Sequence, residues 1–137
     1  MPNVIKRDYY LKQLIEKKEN GLIKVITGIR RCGKSYLLFT LFYDYLINNG
    51  INKDNIITIA LDDDLYIKYR NPDELSKYIR EKIVNDDLYY VLIDEVQYAI
   101  SKEELRNTED IKLYNVLNGL MRLRNVDIYV TGSNSKM

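Results

Sequence analysis

Hydrophobic positions along this chain fall into two rhythms. Short apolar runs occupy residues 22–27, 56–61, 88–93 and 126–131, rich in isoleucine, valine and tyrosine, and read as strands. The intervening segments carry apolar residues at helical spacing. Residues 8–19 line up Leu11, Leu14 and Ile15 and are stopped by Asn20-Gly21. A helix from about Lys34 to Asn48 aligns Leu37, Leu38, Leu41, Phe42 and Tyr45 and ends at Gly50. Asn71-Pro72-Asp73-Glu74 starts a third helix, with a capping side chain, proline in the first turn and acids beside the positive end of the dipole. It carries Leu75, Ile79 and Ile83. Thr108-Glu109-Asp110 opens a fourth, bearing Leu113, Leu117 and Leu120. Strands separated by helix-length connections predict a parallel sheet with right-handed crossovers. The run at 88–93 is apolar nearly throughout, as expected of a strand covered by helices on both faces. The fold class is α/β.

The junction between the first strand and the second helix holds Gly28-Ile29-Arg30-Arg31-Cys32-Gly33-Lys34-Ser35, a complete G-x4-G-K-S. Strand, glycine-rich loop, helix is the context in which this string cradles phosphate. Gly28 and Gly33 let the backbone curl into a nest of N–H donors, and the helix N-terminus adds partial positive charge. Lys34 is expected to reach the β- and γ-phosphates, and the Ser35 hydroxyl to ligate Mg2+. The nucleotide-binding stretch thus runs from Gly28 through Tyr36.

A second signal closes the third strand, where Tyr89-Tyr90-Val91-Leu92-Ile93 ends in Asp94-Glu95. Ligands in such sheets sit beyond the carboxyl ends of the strands, so both acids face the crevice of the phosphate loop. Asp94 is expected to hold the Mg2+ shell, largely through water, and Glu95 to polarise an attacking water. The fourth strand leads into Thr131-Gly132-Ser133-Asn134, where either Ser133 or Asn134 would contact the γ-phosphate or orient the water.

Composition narrows the field. At 137 residues the chain makes one domain, residues 1–137, with a core of its own. It has no histidine, which eliminates Ser-His-Asp, Cys-His and His-ligated metal chemistry. Cys32 stands alone, so no internal disulfide forms, in keeping with a reducing, cytoplasmic setting. No apolar run is long enough to cross a bilayer, and the first residues lack the apolar segment of a signal peptide. A net charge of +1 with both signs interspersed gives nucleic acid no electrostatic support. Other residues have blander readings. Asp62-Asp63-Asp64 follows the second strand and reads as a solvated acidic loop. Arg30 and Arg31 face phosphate, solvent or a partner protomer. Cys32 reads as a small passive residue near helix donors. Tyr9 and Tyr10 are expected to pack rather than stack on adenine. Asn52-Lys53-Asp54-Asn55 superficially resembles a guanine-selecting motif, but its spacing fails and it comes too early, so ATP is expected over GTP.

Taken together, Ile26 to Ser35, Leu92 to Gln97 and Val130 to Ser135 resemble the prokaryotic AAA+ ATPases that carry a C-terminal domain of unknown function. The resemblance implies a P-loop NTPase three-layer αβα sandwich with strand order 5-1-4-3-2. It implies Lys34 and Ser35 as Walker A residues, Asp94 and Glu95 as Walker B residues, and a sensor-like role for Ser133 or Asn134. It further implies ATP or ADP with Mg2+, self-association and a protein partner. Cys32 departs from the small aliphatic residue more usual there. Only six residues follow Thr131, so strands 1-4-3-2 are expected without the fifth strand, lid, arginine finger or second sensor, as in a truncated core. The first strand would then be an open edge that invites association. The expected activity is Mg-ATP hydrolysis; the alternatives are a nucleotide-binding switch without turnover and a small-molecule P-loop kinase.

Overall fold

The computed structural model describes residues 2–27, 33–106 and 111–132, with side chains from Tyr9 onward. Its elements are α1 (Pro2–Glu16), β1 (Lys24–Ile26), α2 (residues 34–48), β2 (Ile56–Ala60), α3 (Pro72–Lys82), β3 (Tyr89–Asp94), α4 (Lys102–Arg106), α5 (Lys112–Met121) and β4 (Val126–Thr131). The four strands form one sheet in the order β1-β4-β3-β2, with each neighbouring pair parallel. This is the expected mixed α/β, P-loop NTPase arrangement.

The two-residue pleat sorts side chains between the layers. Tyr90, Leu92 and Tyr129 pack with Leu14 of α1 and with Leu37, Leu38, Phe42 and Leu46 of α2. On the other face, Val91, Ile93, Ile128 and Val130 meet Leu75 and Ile79 of α3 and Leu113, Leu117 and Leu120 of α5. Every residue of β3 and β4 is buried, which explains why their sequences read as nearly unbroken apolar runs.

The local starts and stops are those the residue types dictate, with some differences. Asn71 Oδ1 accepts from the backbone N–H of Asp73 at 2.9 Å and of Glu74 at 3.4 Å, capping α3. Ser101 and Glu104 form a reciprocal capping box on α4, at 3.0 and 3.1 Å. The second oxygen of Glu104 accepts from the N–H of Lys112 at 2.8 Å, so one carboxylate also caps the start of α5. These backbone donors hold the Glu104 carboxyl below the usual carboxylate range. The expected start of that helix at Thr108-Glu109-Asp110 lies outside the described residues. α1 begins at Pro2, earlier than residue 8, and β1 spans three residues rather than six. α2 is α-helical over Lys34–Tyr36, π-helical over Leu37–Phe42 and α-helical again over Tyr43–Asn48. Apolar spacing cannot distinguish this widened turn from a regular helix.

At the amino-terminal end of the sheet, Lys24 and Asp127 form an ion pair with side chains only 5% and 2% exposed. The other Asp127 oxygen accepts from the Tyr129 hydroxyl at 2.6 Å and from the Glu19 N–H at 2.8 Å. The turn after α1, where Glu19 is left-handed with φ of 60°, is therefore tied to β4 by a saturated carboxylate. Tyr90 donates to Glu19 at 3.0 Å, and Lys18 donates to Tyr90 at 3.3 Å. Removing one partner of such a buried pair strands the other charge. Lys24→Met is expected to cost about 3 kcal/mol in urea unfolding, with part recovered by Lys24→Met/Asp127→Asn.

The same cluster gives stability an alkaline limit. Burial, with Glu19 as acceptor, pushes the Tyr90 hydroxyl up to about 12. Burial works against the Lys18 ammonium, but its hydrogen bonds to Glu19 and Tyr90 prevail and raise it. The unfolded chain therefore sheds these protons first, and stability falls as pH climbs from 10 toward about 12. Unfolding curves across that window are expected to show the decline. Tyr90→Phe should flatten it without abolishing it, because burial raises Tyr129 as well.

Among the described residues β1 pairs with β4 alone, as expected of an edge strand, and its Val25 remains 49% exposed. A cavity of about 350 Å3 lined by Tyr10, Leu14, Val25 and Thr27 flanks this edge on the α1 face. One of about 340 Å3, lined by Ile23, Val25, Val96, Tyr114 and Leu117, flanks it on the other.

Candidate functional site

The site is built at the carboxyl ends of β1, β4 and β3. Ile26 lies beside Thr131, and Ile93 beside Val130, so the last residues of three strands come level. Gly33 enters α2 with φ of 81°, a left-handed conformation that a side chain would strain. Its carbonyl accepts from the Leu37 N–H at 2.8 Å, which starts the helix. Lys34 and Ser35 thereby occupy the first turn and face the strand ends.

Lys34 is buried, and its Nζ donates to the Gly132 carbonyl at 2.8 Å. Ser35 Oγ donates to Oδ2 of Asp94. Oδ1 of the same carboxylate accepts from Thr131 Oγ1, so Asp94 is gripped from both sides and buried. Glu95 turns the chain off β3 with φ of 58° and ψ of 53°. A left-handed non-glycine residue costs about 1 kcal/mol or more and must be held by its surroundings. Here the Glu95 N–H donates to Thr131 Oγ1 at 2.9 Å. Its carboxylate accepts from Gln97 Nε2. The Gly132 N–H closes the corner onto the Ile26 carbonyl at 3.2 Å.

Among the expected site residues, Lys34, Ser35, Asp94 and Glu95 come together in this crevice, with Gly33 at its entrance. Tyr36 is exposed on the first turn of α2. Gly28, Ile29, Arg30, Arg31, Cys32, Ser133 and Asn134 lie outside the described residues. Asp62, Asp63 and Asp64 form an exposed loop, and Asp63 caps the 3-10 turn Asp64–Arg70 by accepting from the Leu65 N–H at 2.9 Å. Asn52 likewise caps its own turn, accepting from the Asp54 N–H at 2.9 Å. Tyr9 is exposed, meets the Tyr10 ring edge-on and accepts from Gln13 at 2.8 Å. Tyr10 instead lines the cavity beside β1.

Sequence reasoning did not single out Thr131, Gln97 or the Gly132 carbonyl. Parallel register supplies the missing signal for Thr131: a polar residue ending β4 must sit beside the acid ending β3.

The donor set suits a hard cation. Ser35 hydroxyl and Asp94 carboxylate are adjoining oxygens, while no group of three or more His, Cys, Asp or Glu gathers among the described residues. Mg2+ characteristically takes one or two protein oxygens and completes its shell with water and phosphate.

Residues 20–137 match the family model described as the AAA domain. The chain belongs to the AAA domain family. A protein of Haemophilus influenzae, described as uncharacterized, is 34% identical over 135 residues. That alignment covers 98% of this chain but 31% of the relative, so the chain spans about a third of that protein's length. Among solved structures, a chain from the Drosophila ORC complex bound to DNA superimposes with a TM-score of 0.60 at 14% identity. The superposition covers 98% of this chain and 79% of that one. It shows the shared fold. The AAA domain described here is a nucleotide-binding unit of the P-loop ATPase type.

The left-handed Gly33 gives a direct check on the loop geometry. Gly33→Ala is expected to lower stability by about 1–2 kcal/mol, read as a fall in the thermal midpoint.

Proposed function

We propose that this domain binds and hydrolyses Mg-ATP as the core of an AAA+ ATPase. The observation that carries the reading is the single hydrogen-bonded crevice joining Lys34, Ser35, Asp94 and Glu95 at the strand ends. Phosphoryl transfer asks little covalent chemistry of a protein; it asks for positioning and charge. The backbone from Gly28 to Gly33 would cradle the phosphates, and the Lys34 ammonium would neutralise the β- and γ-oxygens. Ser35 and Asp94 would hold Mg2+, which supplies charge neutralisation when bound. Glu95 would orient and polarise a water for attack on the γ-phosphorus. Ser133 or Asn134 would meet the γ-phosphate, and Arg30 and Arg31, within the loop sequence, would face phosphate, solvent or a partner protomer.

The finer reading is that of the prokaryotic AAA+ ATPases with a C-terminal domain. In that reading the full protein adds a fifth strand along β1 and supplies a lid and an arginine finger. Its setting would be cytoplasmic, with self-association and a protein partner completing the machine. The DNA of the similar complex is not carried over to this chain, whose net charge of +1 gives nucleic acid no electrostatic support. A nucleotide switch without turnover is the second reading, favoured by the grip of Gln97 on the Glu95 carboxylate. A small-molecule kinase is less well supported, since Glu95 beside Asp94 suits water as acceptor.

Calorimetry and phosphate release test the proposal. Lys34→Ala is expected to abolish Mg-ATP binding, and Glu95→Gln to keep binding while turnover falls at least about 100-fold. Equal affinity in wild type and Lys34→Ala would sink it. Tight binding with no phosphate release by wild type would favour the switch.

A further inference from the structure

We infer that Thr131 is the positioning residue of this site, coupling the Mg2+ ligand Asp94 to the water-orienting Glu95 through one hydroxyl. The inference rests on the Mg-ATP reading above and assigns a role to a residue that reading leaves unused.

Thr131 ends β4 and is completely buried. A threonine hydroxyl has one proton to give and lone pairs to accept with. The proton goes to Oδ1 of Asp94, and a lone pair receives the N–H of Glu95 at 2.9 Å. The first bond sets the rotation of the Asp94 carboxylate and leaves Oδ2 aimed at Ser35, the other metal-ligating oxygen. The second bond holds the left-handed turn at Glu95, whose φ of 58° would relax toward an ordinary value without it. Metal ligand and water-orienting carboxylate are adjacent in sequence but leave the strand in different directions. One hydroxyl fixes the angle between them.

The same corner reaches the phosphate loop. Gly132, the next residue, accepts from Lys34 at 2.8 Å and donates to Ile26 at 3.2 Å. A change in nucleotide or metal occupancy felt by Lys34 or Asp94 thus reaches Glu95 through residues 131 and 132, without passing through solvent.

A buried threonine could equally be a satisfied packing residue, and two variants separate the roles. Thr131→Val keeps shape and removes the hydroxyl; Thr131→Ser keeps the hydroxyl and removes the methyl. The readouts are ATP binding by calorimetry with and without Mg2+, the thermal midpoint, and the kcat and KM of phosphate release. For Thr131→Val the expected result is Mg2+-free ATP binding within about 2-fold of wild type. The tightening conferred by Mg2+ should fall about 10-fold, and kcat should fall more than KM changes, as expected when a metal ligand loses the hydrogen bond that orients it. Thr131→Ser is expected to keep the Mg2+ effect and most of kcat. If both variants lower the thermal midpoint alike and leave the Mg2+ effect at its wild-type size, Thr131 is structural and the inference is overturned. Should Thr131→Val melt below assay temperature, loss of the Mg2+ effect in Thr131→Ser overturns it, and retention supports the hydroxyl. Wild-type protein whose ATP binding ignores Mg2+ overturns both readings. Intact wild-type coupling with an unaffected Thr131→Val overturns this one alone.

Discussion

The structure depends on the register of β4 between its two neighbours. Pairing Ile26 with Thr131 and Ile93 with Val130 brings three strand ends to one level. A slip of a single residue would turn every side chain of β4 to the opposite face. It would bring Asp127 out from under Lys24, move Tyr129 away from Phe42 and separate Thr131 from Asp94. The same strand therefore carries a buried ion pair at one end, an aromatic contact of 4.5 Å in its middle and the corner of the site at the other. None of these contacts is local in sequence, and all follow from one alignment.

The ends of the sheet are organised on different principles. At the amino-terminal end, charge is cancelled within the protein: Lys24 against Asp127, Lys18 against Glu19, with tyrosine hydroxyls taking the remaining bonds. Such a cluster is expensive to break and offers little to a ligand. At the carboxyl end, donors and acceptors are held by single bonds to backbone or to one another. The Lys34 ammonium rests on a carbonyl, and the Asp94 carboxylate on two hydroxyls. Groups satisfied by neutral partners can exchange them for phosphate or cation without stranding a charge.

Much of this was legible in the residues. The four apolar runs became the four strands, and Val126–Thr131 did so without a shift at either end. Asn71-Pro72 starts its helix as the capping chemistry requires. The G-x4-G-K-S string and the Asp-Glu pair could be placed because a parallel sheet collects strand ends on one side. What escaped reading was whatever depends on partners distant in the chain. Ser101 and Glu104 stand at capping-box spacing, but nothing in the sequence signals that Glu104 also caps a second helix eight residues on. Lys24 and Asp127 are polar positions within separate apolar runs, and only the pairing of β1 with β4 brings their side chains together. Thr131 read only as the last residue of the fourth strand, with Ser133 or Asn134 as the candidate contacts, although its neighbours across the sheet make it the hub of the corner.

The widened turn in α2 has a consequence for how the loop is aimed. The Tyr43 N–H reaches back five residues to the Leu38 carbonyl, so the helix takes one residue more in that turn than a regular one would. Each helical residue advances the face by roughly 100°. The widened turn takes up its extra residue by turning less per residue, so the half that grips the sheet through Phe42 and Leu46 and the half that presents Lys34 and Ser35 keep the phase of a regular helix one residue shorter. A chain shortened by one residue between Leu37 and Phe42 could still form a helix and still bury Phe42. Its phosphate-facing turn would keep its direction toward Asp94, which makes the extra residue an insertion the site tolerates rather than a spacer it needs.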